Sequence, residues 1–175
     1  NLLDETNPVV LHRRIRSLQT EGVLNRFVRG LYTTTVPDLD VLCMKLHEDA
    51  CISLASALAR HLMIGTVPSR TVFAIRPGRS RTYTGPAGTI VCAGIRPDLV
   101  FGYEFVEGVR YAGREKVLLD VLYFHQKGRR FYFNIYSDIA VEHIDTVLID
   151  QWLPRYRNPR FTAFVKGYLR DRVSG

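Results

Sequence analysis

Residues 7–34 read NPVVLHRRIRSLQTEGVLNRFVRGLYTT and carry the clearest local structure signals of the chain. Asn7 is a suitable N-cap, and Pro8 suits the first helical position because proline's missing N–H is not needed there. Gly22 is placed to end the helix, since glycine tolerates the left-handed backbone of a C-cap. The pattern therefore predicts a short helix that starts at Pro8 and stops just before Gly22.

The side chains of this helix divide it into an apolar and a basic side. Leu11, Ile15 and Leu18 recur at spacings of four and three, so they share one face. Arg13 and Arg16 point the opposite way. We expect the apolar side to dock on the rest of the domain and the arginine side to stay open for a partner. The remaining members of the basic side and its flanks are Val9, Thr20, His12 and Arg14.

A hairpin is predicted directly after the helix. Phe27 and Val28 lead into a turn at Arg29-Gly30, and Leu31-Tyr32 start a return strand. A helix followed by an arginine-bearing hairpin is the order of parts in a winged-helix DNA reader, whose wing lies on the DNA backbone. The alternative is an ordinary amphipathic surface helix with a solvated hairpin. For DNA binding, the predicted base contacts are Arg13 and Arg16, with His12 beside them, and the predicted phosphate contacts are Arg14, Arg26 and Arg29.

Composition indicates a globular protein with ordinary apolar content. Of 175 residues, 46% are apolar and 23% charged, and the longest apolar runs are far shorter than a membrane span. No charged-then-apolar leader marks secretion. The three cysteines form no CxxC pair, which is typical of reduced thiols in a cytoplasm. We therefore expect a cytoplasmic protein without a membrane partner.

No metal site or other cofactor is predicted. Cys43, His47 and Cys51 stand four residues apart and would align on one helix face. A straight helix, however, spreads the outer two too widely for one ion.

Positive charge is concentrated in blocks along the chain. The formal net charge is +7, and residues 66–97 alone hold five arginines and no acid. Clustered charge favours a phosphate backbone, because each neutralised phosphate releases a condensed counterion. The run RPGRSR sits in a predicted turn and contributes Arg76, Arg79 and Arg81 as further DNA contacts. The alternative for this run is a solvated turn.

The rest of the chain alternates helical and strand patterns. Helices are predicted over residues 38–47, 51–63 (ended by Gly65) and 113–126, and from Asp145 and Asn158 onward; strands are predicted over residues 71–75, 81–84, 89–93, 99–106 and 109–112. Residues 130–136, RFYFNIY, fit either a strand or a helix edge. This order predicts an α+β fold in two domains: a partial winged helix over residues 1–36, and a C-terminal domain over residues 37–175 whose small sheet is packed by helices.

Three segments, in this order, resemble one protein family. They are GVLNRFVRGLYTT at residues 22–34, ISLASALARHLM at residues 52–63 and YAGREKVLLDVLYF at residues 111–124. They resemble the AbiEi-type antitoxins, the regulators of type IV toxin–antitoxin systems. RYRNPRF, between the closing helices, also looks like this family. The most specific match is the third segment, through Ala112, Glu115, Lys116, Val117, Leu118, Leu119, Asp120, Leu122 and Tyr123.

The resemblance implies a fold, a function and two partners. The fold is a winged helix followed by an α/β C-terminal domain. The function is repression of its own toxin–antitoxin operon, by binding inverted repeats of double-stranded promoter DNA. The second partner is a nucleotidyltransferase-like toxin, which such an antitoxin counters without a stable complex. A winged helix normally has two further helices before the recognition helix, and only six residues precede Asn7 here. We therefore expect the winged helix to be N-terminally incomplete in this chain.

Enzymatic readings are weaker, and no catalytic residue is predicted. Lys116 and Asp120 are four apart on a predicted helix, and a surface ion pair accounts for them. Asp98, Glu104 and Glu107 resemble an acidic metal cluster of a nuclease, but the lysine that such a motif needs two residues after its second acid is absent. The alternatives to a DNA-binding regulator are therefore a module that neutralises a partner protein and, less favoured, a metal-dependent nuclease.

Overall fold

The computed structural model describes residues 7–34 and 37–173, which form an α+β fold as predicted. Thr35 and Val36, at the predicted domain boundary, lie outside the described residues. None of the described helices is both long and apolar enough to cross a bilayer. The α-helices are α1 Pro8–Thr20, α2 Leu39–Leu46, α3 Leu54–Arg60, α4 Arg114–Gln126, α5 Thr146–Trp152 and α6 Pro159–Val173. The strands are β1 Asn25–Val28, β2 Leu31–Thr33, β3 Cys51–Ile52, β4 Thr71–Pro77, β5 Arg81–Gly85, β6 Gly88–Ile95, β7 Tyr103–Val106 and β8 Val109–Ala112.

The strands form two sheets. β1 and β2 make an antiparallel hairpin, and the other six form one mixed sheet in the order β5-β6-β4-β3-β8-β7. Within it, β4 runs parallel to β6 and β3 runs parallel to β8, while the remaining neighbours are antiparallel. β5 and β7 are therefore the two edges of the mixed sheet.

Apolar side chains pack on both faces of this sheet. Consecutive strand residues point to opposite faces, so Ala74 and Ile75 of β4 enter different clusters. The main core lies on the face with Ile75 and includes side chains of α3, α4, α5 and α6. The second core lies on the face with Ala74 and includes Leu42 of α2 and Phe27 of β1.

Polar caps start the helices where the sequence predicts them. The side-chain oxygens of Asn7, Asp145 and Asn158 accept hydrogen bonds from backbone amides two or three residues ahead, at 3.0, 3.0 and 3.1 Å. Each cap satisfies a backbone N–H that has no partner within the helix. The predicted starts of α1, α5 and α6 are thus confirmed.

The predicted helix over residues 51–63 is wrong at both ends. Cys51 and Ile52 form β3, which pairs with β4 on one side and with β8 on the other. These pairings override the helical pattern, because tertiary hydrogen bonds and burial outweigh a weak local propensity. At the other end α3 stops at Arg60, and Leu62 takes a left-handed φ of 58° with 85% of its surface exposed. Leu62 therefore does not share the buried face of the helix, and Gly65 does not end it.

Two other predictions need correction. The strand predicted over residues 99–106 covers only Tyr103–Val106, and residues 97–99 form a short 3-10 turn. Phe101 lies before the strand, and its ring packs edge-on against Trp152, with centroids 5.2 Å apart. Residues 130–136 form neither a helix nor a strand.

The surface ion pair predicted on α4 is buried instead. Lys116 and Asp120 are both fully buried, and the Lys116 ammonium contacts the Asp120 carboxylate directly. The Ser53 hydroxyl donates a second hydrogen bond to this carboxylate, at 2.7 Å. Burial raises the pKa of Asp120, and both partners oppose that rise. The prediction failed because α4 is enclosed on all sides rather than on one stripe.

Candidate nucleic-acid interface

Helix α1 presents its basic side to solvent. None of its side chains is buried, and His12, Arg13, Arg14 and Arg16 are all exposed. Val9, which shares the side of Arg13, has 76% of its surface exposed. The predicted arginine side is therefore open.

The apolar side of α1 is only partly covered. Leu11, Ile15 and Leu18 are half-buried, and neither of the two cores includes a described side chain of α1. The expectation that this side docks on the rest of the domain is met only in part by the described residues. A helix with so little packing depends more than usual on its caps.

The C-terminus of α1 leads directly into the hairpin. Gly22 has a left-handed φ of 74°, and its amide donates to the Gln19 carbonyl at 3.1 Å, which confirms the predicted helix end. The amides of Val23 and Leu24 both donate to the Leu18 carbonyl, at 2.9 and 3.0 Å. These bonds fold the chain back over the last helical turn, so the hairpin begins beside α1.

The hairpin, residues 25–33, is called the wing below. Arg26 pairs with Tyr32, and a bulge precedes Val28. The turn is Arg29-Gly30, as predicted, and Gly30 takes the left-handed φ of 83° that this turn requires. Arg26 and Arg29 are both exposed.

Phe27 is the most deeply buried side chain of the wing, and Val28 and Leu31 also pack against the second core. Phe27 is 4% exposed and packs in the second core. The backbone of the wing lies so close to β5 that a Cβ atom on Gly85 would overlap the Phe27 carbonyl oxygen and ring. Only glycine fits at this position, and β5 is thereby the strand on which the wing rests.

The second group of predicted contacts lies in the arginine loop, residues 76–81. Arg79 and Arg81 are exposed. Arg76 is half-buried, and its guanidinium donates to the Arg79 carbonyl at 2.8 Å, so it braces the loop from inside. Ser80 also fixes the loop, because its hydroxyl accepts from the Gly94 amide of β6 at 2.9 Å.

β5 connects the two basic groups. Arg81 begins this strand and Gly85, under the wing, ends it. Four steps along a strand separate the two residues, or roughly 13 Å. The structure thus places the wing and the arginine loop at opposite ends of one edge strand.

The predicted contact residues are free of carboxylates. Among the described residues, ion pairs join Arg96 and Arg157 to Asp98, Lys116 to Asp120, Lys166 to Asp150 and Arg170 to Asp171. Glu21, the acid that directly follows α1, accepts a hydrogen bond from Ser17 instead, at 2.7 Å. No described carboxylate therefore pairs with any of the nine predicted contacts: His12, Arg13, Arg14, Arg16, Arg26, Arg29, Arg76, Arg79 and Arg81.

His47 is a neighbour of this surface that the sequence did not indicate. Its Nε2 lies 2.8 Å from the Tyr83 hydroxyl of β5. Burial lowers the pKa of His47, and the positive charges of Arg76 and Arg81 lower it further. No sequence pattern links residues 47 and 83, because only sheet pairing brings β5 over the end of α2.

The proposed acidic cluster of a nuclease does not assemble. Asp98 lies on the 3-10 turn and pairs with Arg96 at 3.1 Å, while Glu104 lies on β7 and Glu107 in the following turn. Within residues 7–34 and 37–173, no three His, Cys, Asp or Glu side chains form a group able to hold a metal ion.

No protein-family model matches this chain, and no curated protein is significantly similar to it. The likeness to AbiEi-type antitoxins therefore stays a prediction carried by the three motifs.

Proposed function

We propose that this chain is a DNA-binding antitoxin that represses its own toxin–antitoxin operon in the cytoplasm. Its partners are the inverted repeats of its promoter and a nucleotidyltransferase-like toxin, which it counters without a stable complex. The motif resemblance supplies the family. One structural observation supports the DNA-binding part: the open arginine side of α1 continues into an arginine-tipped wing, and no described carboxylate neutralises either.

The proposal assigns a role to each basic element. α1 enters the major groove, where Arg13 and Arg16 bind base edges, and Arg14 binds phosphate. The wing contacts the backbone through Arg26 and Arg29. His12 lies beside Arg13 on the flank of α1. Arg79 and Arg81 of the arginine loop extend the phosphate contacts beyond the wing, and Arg76 supports the loop through its hydrogen bond to the Arg79 carbonyl.

A binding experiment tests the base contacts. Fluorescence anisotropy is measured with a duplex of the chain's own promoter and with a duplex of the same composition in scrambled order. Arg13→Ala or Arg16→Ala is expected to lower promoter affinity by about 5- to 150-fold and scrambled-duplex affinity much less. Arg160→Ala on α6 is the matched control, because it removes another exposed helical arginine.

Two outcomes would reject the assignment. One is equal promoter affinity of the Arg13→Ala and Arg16→Ala variants and the parent. The other is an equal loss for Arg160→Ala, which would mean that only net charge matters.

A second candidate function is the neutralisation of a partner protein by direct contact. It is favoured by β7, an edge strand with its outer backbone groups open to pairing. Phe105 on this strand has 62% of its surface exposed, and Tyr103 has 37%. A pull-down with the product of the neighbouring gene separates the two functions. Retention of that protein by the parent chain, lost in Phe105→Lys, favours direct contact. DNA cleavage with Mg²⁺ and Mn²⁺ is assayed on the same samples and tests the nuclease alternative.

A further inference from the structure

A second basic surface follows α4, remote from the wing in the fold. It is the basic–aromatic segment, residues 127–136, KGRRFYFNIY, which holds three cations and no acid. Its hydrophobic residues pack on the main core, whereas the wing packs on the second core, across the sheet. Tyr132 and Tyr136 are 50% and 55% exposed.

Tyr136 is held in place from beneath while its ring stays open. Its ring meets His125 edge-on with centroids 6.1 Å apart, and it lies 5.9 Å from the ring of Tyr168. His125 in turn stacks on Phe164 at 6.1 Å. The Tyr136 amide donates to Asn134 Oδ1 at 2.8 Å, which fixes the backbone.

Tyr132 is fixed in a similar way. Its hydroxyl donates to the Thr66 carbonyl at 3.0 Å, and its ring lies 5.2 Å from Phe133 and 6.5 Å from Phe73. Tyr136 is four positions after Tyr132, so the two rings are attached to backbone no more than about 14 Å apart.

Two of the three cations of this segment face aromatic rings rather than carboxylates. Lys127 Nζ lies 4.5 Å from the Tyr123 ring centroid, and the Arg129 guanidinium lies 5.8 Å from that of Phe124. Arg130 is exposed, and no described carboxylate pairs with it. The nearest acid in sequence, Asp138, accepts hydrogen bonds from the Asn134 amide and the Ser137 hydroxyl, which lower its pKa.

We propose that the basic–aromatic segment binds single-stranded nucleic acid. Unpaired bases stack on Tyr132 and Tyr136, and the phosphates between them lie against Lys127 and Arg130. A duplex does not fit this surface equally well, because its bases are already stacked on one another and present no open face. The site is independent of the operator-binding surface on α1 and the wing.

The chemistry required is an unpaired base with a flanking phosphate, which RNA and single-stranded DNA share. Anisotropy is therefore measured with labelled oligothymidine and oligouridine of about 12 nucleotides, with an abasic strand of the same length, and with a duplex. Binding to the two base-bearing strands is expected to exceed binding to the abasic strand and the duplex by at least tenfold. The stronger of the two arms identifies DNA or RNA as the source.

Substitutions that keep or remove the aromatic ring test the stacking. Tyr136→Phe is expected to retain affinity within about twofold, whereas Tyr136→Leu loses about 5- to 150-fold, since one stacked base is lost. Tyr132→Leu tests the second ring separately. Tyr103→Leu is the matched control, a tyrosine 37% exposed on the opposite part of the sheet. Arg13→Ala is expected to leave binding to single strands unchanged. A failure of this proposal can therefore be told apart from a failure of the proposed operator binding.

Three results would overturn the proposal. Equal binding of the abasic strand would mean that charge alone acts. Equal affinity of Tyr136→Leu and Tyr136→Phe for the single strands would show that no base stacks on Tyr136. Binding of an acidic protein to this segment, with no binding of any oligonucleotide, would assign the surface to a protein partner.

Discussion

Helices α1 and α4 have the same length and opposite environments. Each is 13 residues long. α1 has no buried side chain, whereas nine consecutive residues of α4, from Lys116 to Phe124, are buried. In α4 the charged side chains of Lys116 and Asp120 lie in the core, where each is the counter-charge of the other. In α1 the charged side chains are exposed, and the proposed function assigns them to the recognition of DNA.

The two helices are also stabilised differently. An isolated helix of this length is marginal in water, and most helices in proteins are held by packing. α4 has that packing on every side. α1 relies on the Asn7 cap, the turn at Gly22 and the half-buried Leu11, Ile15 and Leu18.

The largest expected effect comes from breaking the ion pair in α4. Asp120→Ala leaves the Lys116 ammonium buried without a counter-charge, and we expect a loss of about 3–5 kcal/mol in the free energy of unfolding. Urea unfolding measures it. The control is Asp150→Ala, which breaks an exposed pair with Lys166 and is expected to cost less than about 1 kcal/mol.

The double variant Lys116→Met/Asp120→Leu sharpens this test. Removing both charges is expected to restore most of the stability that Asp120→Ala loses. An Asp120→Ala variant as stable as the parent would show that the pair is not enclosed.

The next effect concerns the wing, whose arginines contact the DNA backbone in the proposed function. Arg29→Ala is expected to weaken binding to promoter and scrambled duplex alike. It also reduces the slope of log affinity against log salt by about 1, because one phosphate contact is lost. Arg170→Ala, an exposed arginine paired with Asp171, serves as the control. An unchanged slope of log affinity against log salt would show that Arg29 makes no phosphate contact.

A smaller effect is expected at the N-cap of α1. Asn7→Ala removes the hydrogen bond to the Val9 amide and is expected to cost about 1 kcal/mol of α1 stability. Because α1 is barely packed, hydrogen exchange should speed up in α1 and remain unchanged in α4. Faster exchange throughout the molecule would mean that α1 unfolds together with the core, and the contrast between the helices would disappear.

The smallest effect is a pH dependence at His47. Its pKa is lowered from 6.5 in the folded protein, so the unfolded chain takes up the proton first as the pH falls. Its contribution to stability is present above about pH 6.5 and is lost as the pH falls towards the lowered pKa. His47→Gln should therefore lose less stability than the parent between about pH 7.5 and about pH 5. Parallel pH profiles in urea unfolding would exclude this role for His47.

Local chemistry was predictable where neighbours in sequence decide it. Asn7 with Pro8, Gly22 and Arg29-Gly30 gave the correct limits of α1 and the turn of the wing, since caps and turns need only residues a few positions away. The exposure of Arg13 and Arg16 also followed from helical periodicity. The same reasoning failed at Cys51-Ile52, where distant strands decide the structure.

The sequence by itself determined the α+β class, the cap and turn chemistry, and the separation of arginines from apolar residues along α1. Only the tertiary structure decided that Lys116 and Asp120 are buried with Ser53, that Gly85 lies under Phe27, and that His47 meets Tyr83. The physical reason is that burial and sheet pairing join residues far apart in the chain. Their free energy depends on what surrounds a side chain on all sides, which no pattern of sequence neighbours records.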